Sequence, residues 1–327
     1  MRLTTFVALS VVPFGVGLAQ EAWHDPSPHT EGIVIANGVR LHYLDWGGHG
    51  PTLVFLTGLG VTPHLFDRLA PHFTDQYRVL GLTRRGLGKS ERTKTGYDTG
   101  TLTEDVRGFL DAMHVDRATF VGWSLGGTEM TRLAERYPSR VDRLVYLEAA
   151  YDWAPFPVLW NQDPVGSGPT VADLASFEAS KRWFVRTQGM WSDAVEADGR
   201  AVNLLPNGRM TMDVMPPEIM RQLVAGMALA RPNFGAVRAP ALAFYAVSLT
   251  HPALSPDTPD GVRRKGETYW RDRFLPAQRK QIDAFKAARP DARVVELTDG
   301  RHLCFIRPQD EERVLREMRA FLAEETR

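Results

Sequence analysis

A single cysteine, Cys304, occurs in 327 residues, so no disulfide can close within the chain and the core alone must hold the fold. No Cys/His cluster has the spacing of a zinc site, and no metal or other cofactor is expected. An excess of one charge is also missing. The 39 Lys and Arg balance 39 Asp and Glu, and no long basic run occurs. That excludes the electrostatic footprint of a nucleic-acid binder and capture by an anionic membrane. Apolar runs are short, repeats and low-complexity tracts are absent, and no integral membrane segment is expected in the mature chain. What remains is the balance of an ordinary globular protein, 43% hydrophobic and 24% charged.

The N-terminus reads as a processing segment. Met1-Arg2 is a short positive start, Phe6 to Leu18 is mostly apolar around Pro13, and Gly17-Leu18-Ala19 offers small residues for a signal peptidase. A secretory leader over 1–19, cleaved after Ala19, implies a secreted or periplasmic protein.

Downstream, Asn37-Gly38 between Gly32–Ile35 and Val39–Tyr43 predicts a hairpin. Apolar runs at Leu53–Leu56, Arg78–Leu82, Arg117–Val121, Arg143–Leu147, Ala241–Ala246 and Arg293–Leu297 have the character of buried strands. Helical periodicity alternates with them over Thr101–Met113, where Thr101 and Glu104 suggest a capping box, and over Thr128–Tyr137, Gln278–Ala288 and Asp310–Glu324. The alternation predicts an α/β fold: a mostly parallel sheet with helices on both faces. It breaks between about Tyr151 and Val237, a Pro-containing, Trp-rich stretch that reads as an inserted helical cap. The domains are then 20–150 with 238–327 as core, and 151–237 as cap.

Gly122-Trp123-Ser124-Leu125-Gly126 lies between the strand ending at Val121 and the helix beginning near Thr128. A Gly-x-Ser-x-Gly in that setting is a nucleophile elbow, a sharp turn that lifts a serine hydroxyl to a helix N-terminus.

With these residues the chain resembles the α/β-hydrolase superfamily from about Gly32 to Leu322. Thr57-Gly58-Leu59-Gly60 stands where the family usually has His-Gly-x-x. Thr83-Arg84-Arg85-Gly86-Leu87-Gly88-Lys89-Ser90 is similar to its Asp-x-Arg-Gly-x-Gly-x-Ser, and Gly300-Arg301-His302 follows the last strand. Thr57 and Thr83 depart from the pattern at loop-orienting positions. The resemblance implies Ser124 as nucleophile and His302 as base, with His251 the rival histidine and His64 a pocket-lining one. The usual acid position after the seventh strand holds no carboxylate. Glu148, at the tip of the sixth, is similar to the acid of haloalkane dehalogenases and some lipases, with Asp152 and then Asp257 as alternatives. Backbone N–H groups of Leu59 and Leu125 are the expected oxyanion donors, each contributing on the order of 3 kcal/mol. Trp123, Trp153, Phe156 and Trp160 are the expected substrate-contacting aromatics. Arg84 and Arg85 read as loop salt bridges, with a clamp for a substrate carboxylate as the alternative, and Cys304 as a packing residue.

The expectation is an exported serine hydrolase that cleaves a small carboxylic ester or lactone with an apolar part through an acyl-enzyme. A serine at the elbow argues against dehalogenase or epoxide-hydrolase chemistry, which needs a carboxylate there. Amidase, peptidase, carbon–carbon hydrolase and perhydrolase activities stay open on the same triad, as does a non-catalytic small-molecule binding protein. The residues do not speak to oligomeric state.

Overall fold

A computed structural model describes residues 23–324 apart from 167 and 256, so the leader assigned to 1–19 lies outside the described residues. Asn37 and Gly38 both have positive φ (52° and 76°), the geometry of a tight hairpin turn that joins β1 (Thr30–Ala36) to β2 (Val39–Gly47). Beyond the hairpin come β3 (Thr52–Leu56), β4 (Arg78–Leu82), β5 (Ala118–Trp123), β6 (Val141–Leu147), β7 (Ala241–Val247) and β8 (Arg293–Thr298). They form one sheet in the order β1-β2-β4-β3-β5-β6-β7-β8. β1 and β2 run antiparallel to their neighbours and all other pairs are parallel. β3, β5 and β7 are buried along their whole length, which is why they are continuous apolar runs and not alternating ones.

Helices cover both faces. α1 (Thr99–Ala112) and α2 (Leu125–Arg136) pack with α8 (Leu275–Ala288) over one core, which includes Phe109, Met130 and Phe285. α9 (Pro308–Ala323) closes the other with Val314 and Phe321. The capping box at Thr101 and Glu104 is corrected by the structure. Asp98 is the N-cap of α1 and accepts from the Thr101 N–H at 3.0 Å and its hydroxyl at 2.7 Å. A carboxylate is the stronger acceptor for first-turn donors, and Glu104 accepts from Arg107 and Tyr137 instead.

Between β6 and β7 the chain forms α3 (Phe156–Gln162), α4 (Phe177–Gln188), α5 (Asp193–Asp198) and α6 (Pro217–Leu229). Their buried residues divide between the two cores. Trp153, Phe156, Ile219 and Leu223 join the first, Met190 and Val195 the second. A further helix, α7 (Asp260–Tyr269), follows β7. Among the described residues no helix is long and apolar enough to cross a membrane.

Candidate active site

Parallel pairing brings the carboxyl ends of β5 and β6 side by side, with Trp123 opposite Leu147, so the next residue of each strand emerges at one edge. Those residues are Ser124 and Glu148. Both have positive φ without being glycine, Ser124 at 53° and Glu148 at 51°, and Asp299 just before the His302 loop has 57°. Such backbone costs of order 1–3 kcal/mol per residue and persists only where the surroundings enforce it. At Ser124 the enforcement is visible. Its N–H donates to the Leu147 carbonyl at 3.3 Å, and α2 starts at the next residue. A Cβ at Gly122 would lie 2.8 Å from the Gly127 nitrogen, and one at Gly126 would run into the Leu56 carbonyl, so only glycine fits either flank.

His302 reaches this edge from the loop after β8. Its Nδ1 is 3.2 Å from Glu148 Oε2, although the two residues are 154 positions apart. The other carboxylate oxygen accepts from the Tyr151 hydroxyl at 2.7 Å and the Ala246 N–H at 2.6 Å. Burial, then the adjacent Glu148 charge, push the Tyr151 hydroxyl well above the ordinary phenol range, so it stays a donor. Glu148 is nearly buried while the His302 side chain is 44% exposed, a held carboxylate beneath an accessible imidazole. Trp123 donates its indole N–H to the His302 carbonyl at 2.8 Å, and the two rings lie 4.9 Å apart. The expected substrate-contacting Trp123 therefore also braces the histidine loop.

The alternatives are committed elsewhere. Asp152 pairs with Arg231 at 3.2 Å and accepts from the Ala154 N–H, and Asp257 is exposed. His251 is buried with Nε2 3.0 Å from both oxygens of Asp163. Cys304 is fully buried next to Phe305 in the core, where desolvation pushes its thiol well above its usual range and removes it as a nucleophile.

Leu59 and Leu125 flank the serine from two sides. Leu125 is the first residue of α2, whose opening N–H groups have no acceptor inside the helix. The Leu59 loop comes close enough that a Cβ on Gly58 would lie 3.1 Å from the Ser124 Cβ. What holds that loop is Arg84, whose salt bridge to Glu129 is only part of its bonding. Its guanidinium is buried, donates to the carbonyls of Thr57 at 2.8 Å and Gly58 at 2.9 Å, and pairs through Nε with Glu129 of α2 at 2.5 Å. One planar cation thus links the helix behind the serine to the loop in front of it. Lysine would keep a charge for Glu129 but has no fork to hold two carbonyls. Arg84→Lys is expected to lower the kcat of any hydrolysis this site carries out by about 10- to 100-fold with a smaller change in KM, because the loop is misplaced and the pocket is not. Equal kcat values for the two proteins would refute this positioning role. Arg85, in contrast, is a structural partner of Asp105, which also accepts from Asn37 at 2.9 Å.

Two cavities adjoin His302. The larger, about 440 Å³, is walled by Leu59, Trp123, Trp183, Phe184, Trp191 and Met220, among others. The second, about 350 Å³, lies on the acid side and takes Trp153, Phe156 and Trp160 together with Trp270 and Phe274. His302 and Gln188 belong to both walls. The three cap aromatics expected over the serine hence border the acid-side cavity. The cap aromatics that line the other cavity together with Leu59 are Trp183, Phe184 and Trp191. Nothing in their spacing separates the two groups, since that depends on how α3 and α4 pack. His64, expected to line the pocket, is instead buried 3.0 Å from Asp67.

The sequence profile of the alpha/beta hydrolase fold matches residues 51–306. The chain belongs to that family. Over shorter stretches it is similar to proteins of assigned activity. It is 34% identical over 152 residues to 2-hydroxymuconate semialdehyde hydrolase of Pseudomonas sp. (strain CF600), covering 45% of this chain and 53% of that one. It is 32% identical over 120 residues to non-heme chloroperoxidase of Streptomyces lividans, covering 36% and 44%. The chain spans about half or less of the length of the curated relatives it matches. Among solved structures, E-2-(acetamidomethylene)succinate hydrolase superposes with a TM-score of 0.69 at 19% identity, over 90% of this chain and 100% of that one.

Proposed function

We propose that this family member is a serine hydrolase that cleaves a small carboxylic ester or lactone with an apolar part. The observation that carries the proposal is the 3.2 Å contact between His302 Nδ1 and Glu148 at the same sheet edge as the strained Ser124. In this mechanism Ser124 Oγ attacks the carbonyl carbon as His302 Nε2 takes its proton, while Glu148 stabilises the imidazolium. The Leu59 and Leu125 N–H groups bind the oxyanion. The carbon–oxygen bond to the alcohol then breaks, and the imidazolium returns the proton to that alcohol. Water, deprotonated by the same imidazole, attacks the acyl-serine, releases the acid and restores the hydroxyl.

The two cavities on either side of His302 support an ester with a room for each half, and their aromatic and aliphatic walls favour apolar groups. Export remains part of the proposal and rests on the composition of 1–19. The deciding experiment is a fluorophosphonate probe on the folded protein, followed by peptide mapping. Label on Ser124, prevented by prior incubation with a short-chain ester analogue, is the expected result. A folded protein that takes no label would leave a binding protein on the hydrolase scaffold.

A further inference from the structure

Four side chains that take no part in the proposed mechanism converge where the segment before β1 meets the turn after β3. Asp25 and His29 come from the segment before β1, and His64 and Asp67 from the turn after β3. One potential ligand atom from each lies within 4.8 Å of the other three. The separations that can be paired are 3.0 Å from His64 Nδ1 to Asp67, 3.2 Å from His64 Nδ1 to Asp25 and 3.4 Å from His29 Nδ1 to Asp67. A tetrahedral cation with bonds of 2.0–2.1 Å holds its ligands about 3.3 Å apart, so these three separations fit a ligand shell as well as they fit ion pairs.

Hydrogen bonding accounts for only part of the cluster. His29 Nδ1 and Asp25 Oδ2 are buried without a hydrogen-bond partner, and the His29 side chain is only 6% exposed. A third carboxyl, Asp198 at the end of α5, is close enough to act on His64. One divalent cation would give both buried atoms that make no hydrogen bond, His29 Nδ1 and Asp25 Oδ2, a ligand role. An outer contact of the kind that orients metal ligands is present as well, since Trp46 donates its indole N–H to Asp67 Oδ1 at 2.8 Å. We propose that Asp25, His29, His64 and Asp67 bind one divalent cation of the zinc class, clipping the segment before β1 to the turn that follows the Leu59 loop. Two imidazole nitrogens with two carboxylates favour zinc over magnesium or calcium, which prefer all-oxygen shells. The site was not legible in the sequence because its two halves, Asp25-x-x-x-His29 and His64-x-x-Asp67, have 34 residues between them, and neither half alone has zinc-finger spacing.

The test uses the whole protein, stripped with a chelator, exchanged into chelator-free buffer and titrated with Zn²⁺. Elemental analysis after desalting is expected to find one zinc per chain. The melting temperature should rise by roughly 5 °C when zinc exceeds its Kd a hundredfold. His29→Gln and Asp25→Asn, which keep side-chain volume at the edge of the fold, should each lose the retained zinc and the shift, whereas Ser124→Ala should keep both. No zinc retained by the unaltered protein, or an equal shift in the His29→Gln and Asp25→Asn variants, would reduce the cluster to a buried His–Asp ion-pair network and overturn the assignment. The readouts are metal content and melting temperature, so this result is independent of whether Ser124 proves catalytic.

Discussion

Ser124→Ala is expected to lower kcat on a short-chain ester by about 10⁶, to the residual rate that binding and oxyanion donors alone support. The size follows from the chemistry: with no Oγ there is no acyl-enzyme, and His302 has no proton to take. Stability should move the other way or not at all. Ser124 holds a backbone of φ 53° and ψ −120°, which alanine tolerates no worse, and its side chain accepts no cap hydrogen bond from α2. A steady-state assay with a thermal melt on the same sample checks both halves. Retained turnover in a purified, normally folded variant would reject Ser124 as the nucleophile.

Glu148→Gln is the second large effect, about 10⁴ in kcat, and its reason is a tautomer. Tyr151 and Ala246 both donate to Oε1, so the glutamine carbonyl must occupy that position. Its NH₂ then falls where Oε2 now faces His302 Nδ1. A donor there makes Nδ1 the acceptor and moves the ring proton to Nε2, the nitrogen that has to receive the serine proton. The imidazole is held, but in the wrong form. KM should change little, since Glu148 is buried and glutamine keeps its volume and place in the wall of the acid-side cavity. Asp257→Asn, on an exposed loop, is the matched control and should retain full activity. If instead Asp257→Asn loses activity and Glu148→Gln keeps it, the acid has been misassigned.

The strands and the elbow were readable because their causes are local. A continuous apolar run such as Leu53–Leu56 can be buried on both faces in only a few ways, and glycines at 122 and 126 are the residues a tight strand–helix turn demands. Arg84 illustrates the opposite case. Its neighbours in the chain identify a polar loop, and the carbonyls it holds, Thr57 and Gly58, are 27 and 26 residues away across a strand pairing. The capping box failed for a milder reason. The helix starts one residue after Asp98, so Thr101 lies inside its first turn and donates to Asp98 instead of capping.

From its sequence alone, then, this protein was determined to be an α/β sheet protein with a serine lifted out at one strand end, because backbone propensity, apolar periodicity and turn sterics act over a few residues. Tertiary structure alone decided the rest. It brought the carboxylate at 148 to the histidine at 302, sorted the Trp-rich insert into two cavities, gave Arg84 its loop, and gathered two aspartates and two histidines into one cluster. Each of those depends on strands pairing and helices packing across more than 25 residues of chain, where distance in space is set by the whole core and not by neighbouring residues.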